Sequence, residues 1–413
     1  MSVLRAAFGP SQSLSDPQSF LLRAMSGGRS IGGVNVSEYT ALNVSAVYAA
    51  VGIIADTIGQ LPLHLYRRTD KGRVAVKRNE HPVAAMLQDQ ANPYMTPFTL
   101  RQTSQSHALL WGNGYMEIQK DGRGRTVGLW PLIPENTWPS WNDRAQLVYR
   151  TNIDKQPAEL DHRNVAHVRA LGHDGYVGHS QISLHRQSIG LAMAAERYGA
   201  KFYENEAMSG GFLYHPGKLD AKASENLRKS FSKQGGLDNA HRIKILEEGM
   251  KFERTTIPPD DAQFLGTREF QLAEIARIYR VPLILMQSHE GGTTWGTGIE
   301  QILIGFVVWT LQAWVVQWEQ ELNRKLFTAQ ELSQGYFVRF ALNALLRGDM
   351  TSRANFYKAM REISTLSANE IRELEDLNTN PELNGYTRPA NWVPVNAPAG
   401  SVSGGTPTGV NPA

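Results

Sequence analysis

At 413 residues, with 41% hydrophobic, 20% charged and 9% aromatic side chains, the chain has material for two to three domains with a buried core, which excludes disorder for most of its length. It contains no cysteine, which removes disulfides, thiol catalysis and cysteine-ligated zinc and suits a reducing compartment. Forty-two basic against 39 acidic side chains leave +3, far from the strongly basic balance of a protein that grips nucleic acid through many phosphates.

Residues 1–36 are rich in serine and glycine without a sustained period and are expected to be a flexible arm. The first twenty carry neither a signal-peptide pattern nor a lipidation motif, so the expected compartment is the cytoplasm. Ser45 is placed to cap a helix with Val47, Val51, Ile54 and Ile58 on one face, and Leu61 to Arg67 alternates like a strand. A short helix follows His81-Pro82 and stops at Asn92-Pro93; a second runs from about Pro97 to Leu110 and ends at Gly112 and Gly114. From Tyr115 to Val168 the pattern is of short strands, which makes this half α+β. His162, His167, His173 and His179 crowd its end. Their spacing matches no helical i, i+4 pair and no carboxylate lies in register, so turn and strand-edge histidines are favoured over metal ligands.

Ile182 to Glu206 reads as one amphipathic helix with Leu184, Leu191, Ala195, Tyr198 and Phe202 on its apolar face and small residues at Ala192, Gly199 and Ala200. A compact insert, 207–259, follows, with a basic helix carrying Lys222, Arg228, Lys229 and Lys233 and strands near Ile243 to Ile245 and Met250 to Thr256. Asp260-Asp261 open a helix to about Arg280 whose apolar side is Leu265, Leu272, Ile275, Ala276 and Tyr279, while Thr267, Gln271 and Glu274 form a polar stripe at i, i+4 and i+7. The glycine-rich stretch 287–298 reads as an exposed, mobile loop. Ile299 to Phe327 is the most apolar segment and, as a helix, would be about 42 Å long, with Gly305 as a bend point. Its apolar centre, Ile302 to Val316, is shorter than the roughly 20 residues a bilayer needs and contains Gln312, so burial on nearly all sides, by its own subunit and by neighbouring ones, is expected rather than a membrane span. A strand at Tyr336 to Leu342, a helix through Phe356, Met360 and Ile363, and a capping box at Ser367 and Glu370 precede an uncharged tail, 394–413, expected to be disordered.

Chemistry-bearing motifs are missing. There is no GxxxxGK[ST] loop, Gly122, Gly124 and Gly128 lack the dinucleotide spacing, and no HExxH or GxSxG occurs. Asp56, Asp89 and Asp260-Asp261 are isolated or serve as helix caps, so no catalytic residue, metal ligand or cofactor is assigned. Long helices, a glycine-rich loop and no active site point to an assembly component.

The order of motifs resembles the portal proteins of tailed bacteriophages, in the family found in long-tailed phages and related prophages. Over roughly residues 40 to 390 the resemblance is carried by Ser45 to Val51 with Ile58-Gly59-Gln60-Leu61-Pro62, His81-Pro82 followed by Asn92-Pro93, Leu110-Trp111-Gly112-Asn113-Gly114-Tyr115, Gly348-Asp349 with Arg353, and Ser367-Ala368-Asn369-Glu370-Ile371-Arg372. It implies a portal-type α+β fold with wing, helical stem, small α/β clip and helical crown. Such subunits assemble as a twelve-membered ring at the capsid vertex, formed in the host cytoplasm, through which double-stranded DNA is packaged and ejected. Implied partners are the large terminase subunit, the head-completion adaptor and the major capsid protein, with no membrane. On this template 37–181 is the wing, 182–206 and 260–281 are stem helices, and 207–259 is the clip. The segment 299–348 is the long wing helix and strand, and 349–393 the crown. The segment 287–298 becomes a tunnel loop with His289, Glu290, Gly291, Gly292, Thr293, Thr294 and Trp295 at the narrowest point of the channel, and Thr267, Gln271 and Glu274 become a channel lining. Lys222, Arg228, Lys229 and Lys233 keep two readings, a solvated face or a contact for an acidic partner. A membrane-associated pore using 299–327 and a nucleic-acid-processing enzyme with an unrecognised site are the competing functions.

Overall fold

The computed structural model describes residues 28–30, 32–70, 72–153, 156–204, 211–214, 222, 225, 251–254, 261–287, 297–342, 350–375, 380–383 and 385–386. The chain divides into two compact units, Met1–Ala341 and Leu342–Ala413.

In the first unit, β1 (Gly28–Arg29) and β2 (Asn35–Val36) pair antiparallel, so the last residues of the expected flexible arm form a hairpin, with Gly33 at φ 75° in its turn. After α1 (Glu38–Ala41) comes α2 (Ser45–Gln60), which starts at Val44 without a side-chain cap; Ser45 is its first helical residue and does not cap it. Val47, Ala50, Val51, Ile54 and Ile58 of α2 are buried, and the helix packs against α4 (Pro97–Leu110). Between them lie β3 (Leu63–Thr69), β4 (Gly72–Ala75) and α3 (Pro82–Gln88). Arg101 of α4 is buried and donates to the carbonyls of Gly59 (2.7 Å) and Leu87 (3.3 Å), which ties α2, α3 and α4 together; burial holds its guanidinium down at about 10.

Among the described residues this unit also holds three three-stranded antiparallel sheets. β5 (Asn113–Lys120) lies between β10 (Val165–Arg169) and β6 (Thr126–Leu132). β8 (Leu147–Ile153) lies between β7 (Trp138–Trp141) and β9 (Gln156–Asp161), and β3 lies between β4 and β13 (Tyr336–Phe340). β4, β7 and β9 carry no alternation of buried and exposed residues, so periodicity does not reveal them. The glycines of Trp111-Gly112-Asn113-Gly114 are dictated by close approach. Gly112 has φ 80°, a Cβ there would overlap the His179 backbone, and one on Gly114 would overlap the Ser104 carbonyl where β5 crosses α4.

The second unit contains α10 (Met350–Glu362) and α11 (Ala368–Leu374). The capping box is present: Glu370 N donates to Ser367 Oγ (3.2 Å) and Ser367 N to Glu370 Oε2 (2.7 Å). That hydrogen bond, ahead of all other causes, holds the Glu370 carboxyl below its ordinary value.

Candidate functional site

The segment read as one helix from Ile182 is two: α5 (Gln181–Leu184) and α6 (Arg186–Glu204), separated at His185 (φ −104°, ψ 25°). Ser180 caps α5 by accepting from Ser183 N (3.0 Å), and its Oγ lies 2.9 Å from Glu38 Oε1 and 2.8 Å from the Leu110 carbonyl. This anchor fixes the first turn to α1 and α4, and the chain bends after it. Burial pushes the Glu38 carboxyl up despite these hydroxyls.

Within the protomer, α5 and α6 bury a face other than the apolar one read from the sequence. Ile182, Ile189 and Ala192 are buried, whereas Leu184, Leu191 and Tyr198 are about half exposed, at 53%, 50% and 49%. Gly190 lies beneath the β1–β2 hairpin, where a Cβ would overlap Ser30. The exposed three follow one another at seven-residue spacing, as in the seam of paired helices.

α7 (Asp261–Tyr279) packs on α6 and α2 and buries Ile275, Ala276 and Tyr279, the expected apolar side. Its polar stripe is not evenly exposed. Thr267 is exposed, Gln271 is buried at 5%, and Glu274 is intermediate and paired with Arg277. Gln271 Oε1 has no hydrogen-bond partner among the described residues. The three share a helix face on which Gln271 is covered, while Thr267 and, in part, Glu274 are open at the protomer surface.

After α7, Arg280 (φ 56°) turns the chain left-handed and Gln287 (φ 58°) does so again behind a 3-10 turn, Leu283–Met286. His289, Glu290, Gly291, Gly292, Thr293, Thr294 and Trp295 lie outside the described residues, as do Arg228, Lys229 and Lys233; Lys222 is helical and exposed. Within 207–259, Gly211–Tyr214 (β11) pairs antiparallel with Lys251–Arg254 (β12).

The chain resumes as α8 (Thr297–Phe306), a π turn (Val307–Leu311) and α9 (Gln312–Lys325) in one continuous run. Gln312 N donates to Val307 O, five residues back, so the irregularity lies just past Gly305 rather than at it. Inside the π turn, buried Thr310 donates to the Arg280 carbonyl (2.7 Å) and pins the two ends of the intervening segment together.

Within the protomer this run is buried on one face only, and more so toward its C-terminal end. Val315, Trp318, Leu322 and Leu326 are buried, but Ile299, Leu303, Ile304, Val308 and Val316 are exposed, and Trp309 is 77% exposed. Gln301–Lys325 is long and apolar enough to cross a membrane by length and composition, with a third of its most apolar window buried in the protein.

The C-terminal half is held by a buried polar network that the sequence reading missed. Trp318 Nε1 donates to Gln105 Oε1 (2.8 Å), and Asn323 pairs with the Val338 backbone. Glu321 meets Lys325 at 2.5 Å and accepts from His167 N (3.1 Å), while Lys325 Nζ donates to the Val165 carbonyl. Gly178 N donates to Asn113 Oδ1 (2.8 Å) and Asn113 Nδ2 to Gly178 O (2.8 Å), which fixes that amide. His167 Nε2–H must therefore donate to Asn113 Oδ1 (2.9 Å), leaving Nδ1 to accept from Tyr149 OH (3.2 Å). Burial first, then the charges of Arg169, Lys325 and Arg324, hold the His167 ring well below its usual range. Of the other histidines, His173 and His179 stack with ring centroids 5.0 Å apart and share a hydrogen bond between His173 Nδ1 and His179 Nε2 (3.0 Å), and His162 faces Asp161. Among the described residues no three metal-ligating side chains converge. The one sequence signal for the network is Asn113 between Gly112 and Gly114.

The phage portal protein family model matches residues 45–376. The chain is 33% identical over 362 residues to a probable portal protein of Streptomyces phage phiC31, covering 85% of this chain and 78% of that one. It is 29% identical over 366 residues to the portal protein of Enterobacteria phage HK97, covering 88% and 86%. The fold is similar to the crystal structure of an HK97 family phage portal protein from Corynebacterium diphtheriae (TM-score 0.56, 15% identity, 78% of this chain and 99% of that one). It is also similar to a chain in the neck of a native gene transfer agent particle computed with C12 symmetry (TM-score 0.54, 18% identity, 92% and 99%). The mixed helix and sheet architecture is thus that of a portal subunit. The chain belongs to the phage portal protein family.

Proposed function

We propose that this portal protein closes into a ring of about twelve copies at the capsid vertex of a virion and forms a conduit for double-stranded DNA during packaging and ejection. The observation that carries the ring is a pair of uncovered apolar stretches on one protomer, Leu184, Leu191 and Tyr198 on α5 and α6, and Leu303, Ile304, Val308 and Trp309 on α8 and the π turn. Closed rings need two different patches that meet head to tail, and large exposed apolar patches mark such contacts. α6 and α7 form the stem, with the open part of α7 around Thr267 toward the lumen; 287–298 narrows the channel, and 207–259 is the clip that meets the large terminase subunit and later the head-completion adaptor. Residues 37–181 and 299–348 form the wing, next to the major capsid protein, and 349–393 form the crown.

A chain of +3 lets a polyanion slide, because each phosphate contact would release counterions and add affinity. The role is structural, without catalysis or cofactor. The apolar face of α8 meets neighbouring subunits rather than lipid: α9 is tied to α4, β10 and β13 by Trp318, Glu321, Asn323 and Lys325, and lying across a bilayer would break those contacts. Assembly takes place in the host cytoplasm.

Negative-stain microscopy and native mass spectrometry of protein purified without detergent test this reading. Rings near twelvefold with a central hole are the expected result; a protein that stays monomeric when concentrated, or needs detergent to remain in solution, overturns it. Deleting Gly291 to Trp295 is expected to leave rings intact and impair DNA packaging or retention.

A further inference from the structure

The outer face of the β13–β3–β4 sheet carries a set of arginines that the conduit does not use. Between His64 and Arg78 the sequence places six basic residues against one acidic, a local +5 in a chain whose total is +3. The register puts His64 opposite Arg339, Tyr66 between Phe337 and Ala75, and Arg68 opposite Arg73, so these side chains share one face while Leu63, Leu65, Val338 and Phe340 take the buried one. On that face Tyr66 and Phe337 stack at 5.7 Å and 26°. The Arg73 guanidinium lies over the Tyr66 ring at 4.9 Å and that of Arg68 over Phe337 at 5.3 Å. The aromatic pair thus fixes two exposed guanidiniums that would otherwise sweep a wide range of rotamers. Beside them Lys77, Arg78, Asn79 and Gln88 line an open cleft of about 460 Å³. The opposing charges are few. Arg78 pairs with Asp89 (2.7 Å), Glu80 accepts from Lys77 N, and half-buried Glu319 lies near Arg73 and Arg339.

We infer that this face binds the phosphate backbone of duplex DNA outside any channel. Arginine forks match phosphate oxygens in pairs of hydrogen bonds, and pre-positioned arginines lose less entropy on contact. Both aromatic rings are already covered by guanidiniums, so they hold arginines and do not receive unstacked bases; the contact is to backbone and independent of sequence. The near-neutral balance of the whole chain hides the patch, because the remainder of the sequence is net acidic.

The test uses the full chain and covalently closed circular plasmid, which has no end to thread through a ring, so the result does not depend on whether the ring forms. Affinity is measured from 50 to 200 mM salt for the native chain and for R68Q/R73Q/R339Q. The expected result is a variant weaker by at least about tenfold, with a log–log salt slope shallower by about 2 to 3, since each lost phosphate contact removes about 0.9. The lysine triple variant, which keeps the charge, is expected to retain the slope. If the glutamine variant fails to fold, K77E alone, at an exposed position, is expected to weaken plasmid binding about threefold. Affinity and slope equal to the native chain in the variant that folds overturn the inference. So does displacement of plasmid by polyglutamate at equal charge concentration, which would assign the patch to an acidic protein partner.

Discussion

Trp318 and Trp309 stand nine residues apart on the same helical run, one 1% exposed and the other 77% exposed. The first belongs to a region, built from α2, α4, β5, β10 and α9, in which buried polar groups such as the side chains of Asn113, His167 and Glu321 find partners within the chain. The second belongs to α6, the open end of α7 and α8, where Leu191, Tyr198, Phe270, Val308 and Trp309 remain in solvent. One region completes its own core; the other leaves apolar surface that a neighbouring subunit can cover. The π turn lies at the border between them and its Thr310 is bound to the end of α7, so the border is fixed by a hydrogen bond rather than by a change in hydrophobicity.

The contrast is broken most severely in the self-sufficient region. Trp318→Ala removes a fully buried ring and orphans Gln105, and Lys325→Met leaves Glu321 without its closest cation; each is expected to cost about 4 kcal/mol in urea unfolding. Acid acts on the same region. Burial holds His107 down at about 4 and His167 well below its usual range, so both stay neutral in the folded chain while the unfolded chain binds protons below about pH 6.5. Stability is therefore full above that pH and falls as the solution is acidified, by roughly 3 kcal/mol between pH 6.5 and 4 from His107 alone at about 1.4 kcal/mol per unit; denaturation midpoints against pH measure it, and His107→Gln flattens that share. Ser180→Ala, which removes the cap of α5, is expected to cost about 1 kcal/mol. The smallest effect sharpens the comparison most: Trp309→Ala is expected to change protomer stability by less than about 0.5 kcal/mol while reducing ring formation in analytical ultracentrifugation.

Local pattern determined a good deal of this molecule. Apolar spacing in α2 and the last turns of α7, proline and glycine punctuation around α3 and α4, and the capping box at Ser367 and Glu370 each depend on residues within a few positions of one another, and they fold as read. The same local motifs carried the likeness to portal proteins. What the tertiary structure decided depends on residues far apart in sequence. Whether Leu184, Leu191 and Tyr198 or Ile182, Ile189 and Ala192 faced inward was set by what α6 packs on, since both sets repeat at helical spacing. The burial of Gln271, the network from Asn113 through His167 to Glu321, and the stacking of Arg68 and Arg73 over β3 and β13 all join partners that periodicity cannot relate. A sequence fixes the period of a helix or strand through short-range sterics and hydrogen bonding. It does not fix which face meets a neighbour, because that is settled by packing contacts whose energies appear only once distant elements touch.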